Sequence, residues 1–99
     1  RVYAEALDGR LYHYRDSGGL ECDAVLHRRN GSYGLIEIKL GGETKIAEAV
    51  DTLNKLEKKI DTTRMPNPSF KMVVTAVGKY AYRRKEDGIY VVPIGCLKP

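Results

Sequence analysis

The sequence lacks the features that would mark a membrane-spanning, secreted or zinc-binding chain. No apolar run approaches the roughly 20 residues that cross a bilayer, and no charged leader precedes an apolar segment as in a signal peptide. The two cysteines, Cys22 and Cys96, have no Cys-x-x-Cys pair or histidine cluster near them, which argues against zinc. A disulfide stays open from the sequence, but we favour two reduced, buried thiols in a cytoplasmic protein.

An initiator methionine is also missing, since the chain opens with Arg1 and its only methionines are Met65 and Met72. We therefore expect residues 1–99 to be a single domain from the C-terminal part of a longer protein. The content of 42% hydrophobic and 30% charged residues is typical of a globular chain. A net charge of +4 permits contact with a phosphate backbone without requiring it.

The apolar periodicity predicts an α/β fold, with a small mixed β-sheet flanked by helices. A helix at residues 2–7 would be followed by three strands at residues 11–15, 21–27 and 35–40. A second helix at residues 45–60, begun by Thr44 as N-cap, has one apolar stripe. The nearly continuous apolar strand at residues 70–77 should be covered on both faces, and a hairpin of residues 80–84 and 89–93 ends the chain.

Two of these strands carry charged residues at positions where a strand pattern would normally have apolar residues. Period-2 alternation gives the second and third strands one apolar face that we expect to be core, made of Cys22, Ala24, Leu26, Ile36, Ile38 and Leu40. The other face would carry Glu21, Asp23, Glu37 and Lys39. Carboxylates gathered beside a lysine suit the binding of a hard divalent cation, as in metal-dependent phosphodiester cleavage.

The turn between these two strands decides whether the carboxylates meet. Asn30-Gly31 suggests a tight hairpin, but a two-residue turn would set Asp23 opposite Ile38. For Asp23 and Glu37 to share a face, the loop must have an odd number of residues or contain a bulge. We therefore expect a loop of three or five residues.

The order of these elements resembles the PD-(D/E)xK nuclease-like superfamily. Within it, the chain is most similar to the uncharacterised domain at the C-terminus of many prokaryotic AAA-type ATPases. The resemblance runs from about residue 3 to the end of the chain and is carried by Tyr12 to Arg15, Gly18-Gly19, Glu21-Cys22-Asp23, Glu37-Ile38-Lys39, the helix from Lys45, and Val92-Pro93-Ile94. It implies a restriction-endonuclease-like fold, an ATPase domain outside this chain, and action as a homo-oligomer or within a larger assembly.

The resemblance also assigns roles to individual residues. Asp23 and Glu37 would be paired ligands of Mg²⁺, with the Ile38 carbonyl as a third ligand and Glu21 extending the shell. Lys39 would orient or help to deprotonate the attacking water and offset charge on the phosphate. Glu5 would correspond to a glutamate that many members contribute from an N-terminal helix. One departure is the complete absence of glutamine, because active members often place a glutamine or other polar residue on the helix after the lysine strand.

Each of these assignments has a structural alternative. The four charged residues also suit the wet face of a half-exposed sheet, and His13 and His27 are more typical of surface histidines than of ligands, although His27 follows the parity of Asp23. Arg28 and Arg29 are candidates for contact with nucleic acid, whereas residues 80–85 are better explained as a charged edge hairpin. We expect a magnesium-dependent nuclease-like domain, the alternative being a non-catalytic accessory module of an ATPase.

Overall fold

The computed structural model describes residues 9–60, 63, 66–76 and 78–97. The helix predicted at residues 2–7, with Glu5, lies outside them. The elements are β1 (Gly9–Arg15), β2 (Glu21–Arg28), β3 (Tyr33–Lys39), α1 (Glu43–Lys59), β4 (Phe70–Thr75), β5 (Tyr82–Arg83), β6 (Tyr90–Pro93) and a 3-10 helix (Ile94–Leu97). No helix in this part of the chain is long and apolar enough to cross a membrane.

The six strands form one mixed sheet in the order β1-β2-β3-β4-β6-β5. The pairs β1–β2, β2–β3 and β5–β6 are antiparallel, whereas β3–β4 and β4–β6 are parallel. The parallel β3–β4 pair requires a crossover connection, which α1 provides. The predicted α/β fold with a mixed sheet is therefore confirmed, with α1 packed on one face of the sheet.

The loop between β2 and β3 has the odd length that the site requires. The Arg28 amide donates to the Ser32 carbonyl at 2.9 Å, which leaves residues 29–31 as a three-residue loop. Gly31 has a φ of 89°, the left-handed conformation that closes such loops and favours glycine. The register set by this loop pairs Ala24 with Ile36, so Asp23 comes opposite Glu37 as predicted.

The predicted division of β2 and β3 into two faces is wrong at Cys22. Between Cys22 and Val25, β2 contains one residue more than the paired segment of β1, where Tyr12 faces Val25 and Tyr14 faces Cys22. This bulge turns Cys22 to the side of α1, where it packs in one cluster with Leu35. That cluster defines the helix face of the sheet and consists of Cys22, Tyr33, Leu35, Ala49, Val50, Leu53, Leu56, Val73, Ile89 and Val91.

The residues expected to complete the core with Cys22 lie on the opposite face of the sheet. Ile38 and Leu40 are 47% and 76% exposed, so they do not form the predicted core. Leu26 and Val74 are buried on that face at 2% and 6% exposure. Since Val73 is fully buried on the helix face, the expectation that both faces of β4 are covered is confirmed.

Helix α1 buries the predicted stripe but begins earlier than expected. Its N-cap is Gly42, which makes no side-chain cap, and the Gly42 carbonyl accepts from the amides of Lys45 and Ile46. The assignment of Thr44 as N-cap is therefore wrong, because Thr44 already lies in the first turn. The buried residues of the helix are Ala49, Val50, Leu53 and Leu56.

The two cysteines are both free, but only one is buried. Burial raises the pKa of the Cys22 thiol to about 11, which keeps it protonated and unreactive at neutral pH. Cys96 is exposed in the 3-10 helix, so the expectation of two buried thiols is wrong for Cys96. Its short helix lies at the end of β6, beyond the paired strands of the sheet.

Candidate functional site

The candidate site lies where β2 and β3 stop pairing with each other. Their paired backbone positions end at Ala24 and Ile36, next to the bulge in β2. Beyond this point, the Asp23 amide donates to Glu37 Oε2 at 2.8 Å and the Ile38 amide donates to Asp23 Oδ2 at 2.8 Å. The two carboxylates thus replace backbone carbonyls as acceptors, and the register between β2 and β3 brings Asp23 opposite Glu37.

The second oxygen of each carboxylate is left for another partner. Neither Asp23 Oδ1 nor Glu37 Oε1 receives a hydrogen bond or an ion pair within residues 9–60, 63, 66–76 and 78–97. Within the described residues, each of the two side chains therefore offers one carboxyl oxygen that has no partner. Oxygen donors of this type are the ligands that Mg²⁺ prefers.

Glu37 is the more buried member of the pair, with 4% of its surface exposed. Burial raises the pKa of its carboxyl, and the charge of Asp23 acts in the same direction. The bond from the Asp23 amide and the charge of Lys39 lower the pKa of Glu37. A half-exposed wet face does not describe Glu37, because its carboxylate lies on the helix face in an environment that penalises its charge.

Lys39 lies two residues beyond Glu37 on the same side of β3. It is half-buried and forms no ion pair in the described part of the chain, while its charge lowers the pKa of Glu37. Its neighbour across the sheet is Thr75, which is 3% exposed. Thr75 was not predicted from the sequence, since the register between β3 and β4 depends on a crossover helix and no local pattern reveals it.

Glu21 lies near the pair but is bound elsewhere. Its Oε1 accepts from Arg15 Nε at 2.8 Å and lies 2.7 Å from Arg15 Nη2. His13 Nε2 is 3.5 Å from the same oxygen. The hydrogen bond and charge of Arg15 lower the pKa of Glu21. Glu21 in turn contributes to the raised pKa of Glu37, so it acts on Glu37 as a more distant charge.

The hairpin arginines are not gathered at the carboxylates. Arg28 ends β2 and Arg29 begins the loop. Arg28 lies five positions beyond Asp23, roughly 17 Å along a strand. His27 also lies well away from the pair, with its ring stacked on Tyr33 at a centroid distance of 5.9 Å. A ligand that touched both ends of β2 would have to be extended.

Residues 80–85 fit the predicted edge hairpin. β5 is the outermost strand of the sheet, and the neighbouring arginines are used within the hairpin. Arg83 donates to the Gly88 carbonyl at 3.1 Å and lies 5.1 Å above the Tyr90 ring. Arg84 pairs with Asp87 at 3.1 Å. These contacts hold the turn, so the guanidinium groups are committed to the hairpin.

The donor set near the carboxylates is smaller than a complete protein cage for a metal. No group of three or more histidine, cysteine, aspartate or glutamate side chains converges within the residues that the structure describes. Mg²⁺ keeps several waters and is commonly held by one or two carboxylates together with substrate phosphate. Asp23 and Glu37 fit that mode of binding, whereas they do not fit a site that needs three or four side-chain ligands.

Comparison with known proteins places the chain in a family. Residues 1–97 match the family described as a domain of unknown function, DUF4143, and the chain belongs to it. No curated protein and no solved structure gives a significant match to the chain.

Proposed function

We propose that this member of the DUF4143 family is a PD-(D/E)xK nuclease-like domain that hydrolyses phosphodiester bonds of nucleic acid with Mg²⁺. The observation that carries the proposal is the meeting of Asp23 and Glu37 where β2 and β3 part, with Lys39 beside them. The arrangement of three antiparallel strands, a crossover helix and a parallel strand supports a restriction-endonuclease-like fold. The association with AAA-type ATPases belongs to the proposal through the resemblance alone.

The carboxylates would hold the cation with the oxygens that the backbone amides leave free. Asp23 Oδ1 and Glu37 Oε1 would serve as ligands, and the resemblance adds the Ile38 carbonyl. A bound Mg²⁺ would act there as a Lewis acid toward the phosphate. It would also offset the burial and repulsion that raise the pKa of Glu37, so Glu37 would ionise more readily with the cation present.

Lys39 would act on the reacting atoms directly. Its ammonium lies on the same side of β3 as Glu37, and no ion pair within the described residues neutralises it. It would hold the attacking water by a hydrogen bond and balance the negative charge that develops on the phosphate. Glu21 would take a part only as a more distant charge, because Arg15 already binds its carboxylate.

The test is hydrolysis of end-labelled DNA and RNA oligonucleotides by the 99-residue chain in Mg²⁺. Asp23→Asn keeps an acceptor for the Ile38 amide and removes the charge, so the fold should persist while the rate falls by about a hundredfold or more. Lys39→Met should have a similar effect. The matched control is Asp51→Asn, which changes only an exposed carboxylate that pairs with Lys55 at 2.9 Å. Equal rates in the wild type, Asp23→Asn and Lys39→Met would refute the proposal.

A second candidate function is that of a non-catalytic module of a larger ATPase. One observation favours it: the buried residues of α1 are all aliphatic, namely Ala49, Val50, Leu53 and Leu56. The sequence also contains no glutamine to supply the polar group that active members often place there. In that case the carboxylates of Asp23 and Glu37 would serve only to accept hydrogen bonds from backbone amides where β2 and β3 separate. Folded protein that shows no hydrolysis in Mg²⁺ or Mn²⁺ would favour this function.

A further inference from the structure

An apolar groove opens on the helix face, beside the end of α1. Its volume is about 230 Å³. We name it the aromatic groove, and its lining consists of Tyr14, Val25, His27, Tyr33, Leu35, Leu56, Lys59 and Ile60. Pockets that enclose a drug-sized molecule measure roughly 300–1,000 Å³, so this groove has room for one small ring system and not for a larger ligand.

Aromatic rings surround the groove in a fixed arrangement. The His27 and Tyr33 rings stack with an interplanar angle of 16°, and Tyr12 meets His27 edge-on at a centroid distance of 6.0 Å. The Tyr33 hydroxyl donates to the Pro66 carbonyl at 2.7 Å, which holds its ring in place. Tyr12 and Tyr14 are 51% and 40% exposed. Exposed rings beside ordered ones provide a surface on which a planar ligand can stack.

The charge around the groove favours an anionic ligand. Lys59 is the charged residue of the lining, which contains no carboxylate among the residues that the structure describes. Arg10 of β1 is paired with His27 of β2, and its side chain is exposed. Asp16 binds Lys59 at 2.8 Å, which balances part of its charge, and Arg10 carries a second positive charge on the strand that contributes Tyr14 to the groove. A ring that carries phosphate matches both the apolar lining and this basic rim.

The groove and the carboxylates lie along one strand. Leu35 lines the groove and Glu37 follows two residues later on the same side of β3, roughly 7 Å away. A chain that placed one unit in the groove could therefore pass a neighbouring unit near Asp23 and Glu37. Nucleic acid has this form, with a base on each unit and a phosphate between units.

We propose that the aromatic groove holds one unpaired base of a single-stranded nucleic acid, next to the phosphodiester bond at Asp23 and Glu37. The choice of ligand depends on the proposed function of that pair. A base in a duplex is covered on both faces by its neighbours and must leave the stack to enter a pocket, so the groove selects single strands. Stacking on aromatic side chains is tolerant of sequence, which predicts little preference among bases.

Fluorescence anisotropy in EDTA tests this inference without any dependence on hydrolysis. The probes are a labelled single-stranded oligonucleotide, the same sequence as a duplex, and a single strand with abasic sites. We expect the intact single strand to bind about tenfold more tightly than the other two probes. Tyr14→Ala should weaken its binding by about tenfold, in keeping with the loss of one base stack, and Tyr14→Phe should retain it.

The matched control is Tyr82→Ala, because Tyr82 is 52% exposed on the outermost strand at the other edge of the sheet. Equal binding of duplex and single strand, equal effects of Tyr14→Ala and Tyr82→Ala, or no binding at low salt would overturn the inference. Hydrolysis of single strands by Tyr14→Ala with an unchanged KM would overturn it and leave the proposed function standing. Binding that is lost in Tyr14→Ala, with no hydrolysis by the wild type, would support the groove and count against the phosphodiesterase.

Discussion

At the scale of single residues, Asp23 and Glu37 combine a structural and a chemical property. Each carboxylate satisfies one backbone amide of the parting strands, and an unsatisfied buried amide would cost about 1–3 kcal/mol. In the part of the chain that the structure describes, each also keeps a second oxygen without a partner. Amides such as asparagine and glutamine could perform the first task without repulsion between neighbours, so the presence of two carboxylates favours a role for their charge.

The raised pKa of Glu37 predicts how its charge affects stability. Burial holds the pKa of its carboxyl above the ordinary value of 4.5. As the pH rises through 4.5, the unfolded chain releases this proton while the folded protein retains it. The folded state then binds more protons, so the free energy of unfolding falls as the pH rises toward the pKa of the folded protein. Glu37 thus destabilises the fold at neutral pH.

Glu37→Gln should remove this dependence on pH. The free energy of unfolding of the variant, measured with urea, should exceed that of the wild type by a margin that grows between about pH 4 and pH 7. The margin amounts to about 1.4 kcal/mol for each unit by which the pKa of Glu37 is raised.

The comparison between the two proteins isolates Glu37. The lowered pKa values of Asp16 and Asp87 make the opposite contribution, lost as the pH falls, and they are common to both proteins. A margin that stayed constant across this range of pH would contradict the account.

At the scale of secondary-structure elements, a buried polar network fixes α1 on the sheet. Lys71 of β4 is 8% exposed, and its Nζ donates to Glu57 Oε1 at 2.8 Å and to Asn54 Oδ1 at 3.1 Å. The Asn54 amide donates in turn to Asp87 Oδ2 at 3.1 Å, in the turn between β5 and β6. The network therefore ties the helix to β4 and to the last hairpin.

Glu57→Ala should destabilise the protein by about 1–3 kcal/mol, because it leaves the Lys71 ammonium buried without its charged partner. Alanine is itself the better helix former, so helix propensity does not explain such a loss. Lys71→Met should cost less, since it removes the buried charge and Glu57 can be hydrated at the surface. Urea unfolding measures all three proteins.

Asp51→Ala provides the control for this network on the same helix. It breaks the pair of Asp51 with Lys55, in which both side chains are 64% exposed, and should cost less than about 0.5 kcal/mol. A loss for Asp51→Ala as large as that for Glu57→Ala would show that the network contributes nothing beyond an exposed pair.

Local sequence patterns predicted which helices and strands form better than they predicted where each one begins and ends. The apolar stripe of α1 was predictable because side chains three and four residues apart share a helix face. Its start was not, because Thr44 has the side chain of a good N-cap whereas the helix begins from the backbone of Gly42. The odd loop at Asn30-Gly31 was predictable from parity alone.

At the scale of the whole molecule, the bulge in β2 determines which predictions hold. The sequence placed Asp23 opposite Glu37 correctly, because that pairing depends on β3 and the turn. It placed Cys22 on the wrong face, because the extra residue in β2 is visible only against β1, a strand whose register no motif sets. For the same reason, neither the position of Thr75 beside Lys39 nor the aromatic groove could be predicted from the sequence. Both depend on how distant segments pack.

The central claim is that Asp23 and Glu37 bind a divalent cation, and an NMR titration with Mg²⁺ or Mn²⁺ tests it most directly. We predict saturable changes in the amide signals of residues 21–23 and 37–39 of the wild type, absent from Asp23→Asn and retained in Asp51→Asn. Folded spectra with no response at these residues up to several millimolar cation, about the weak end of protein sites for such ions, would contradict the account.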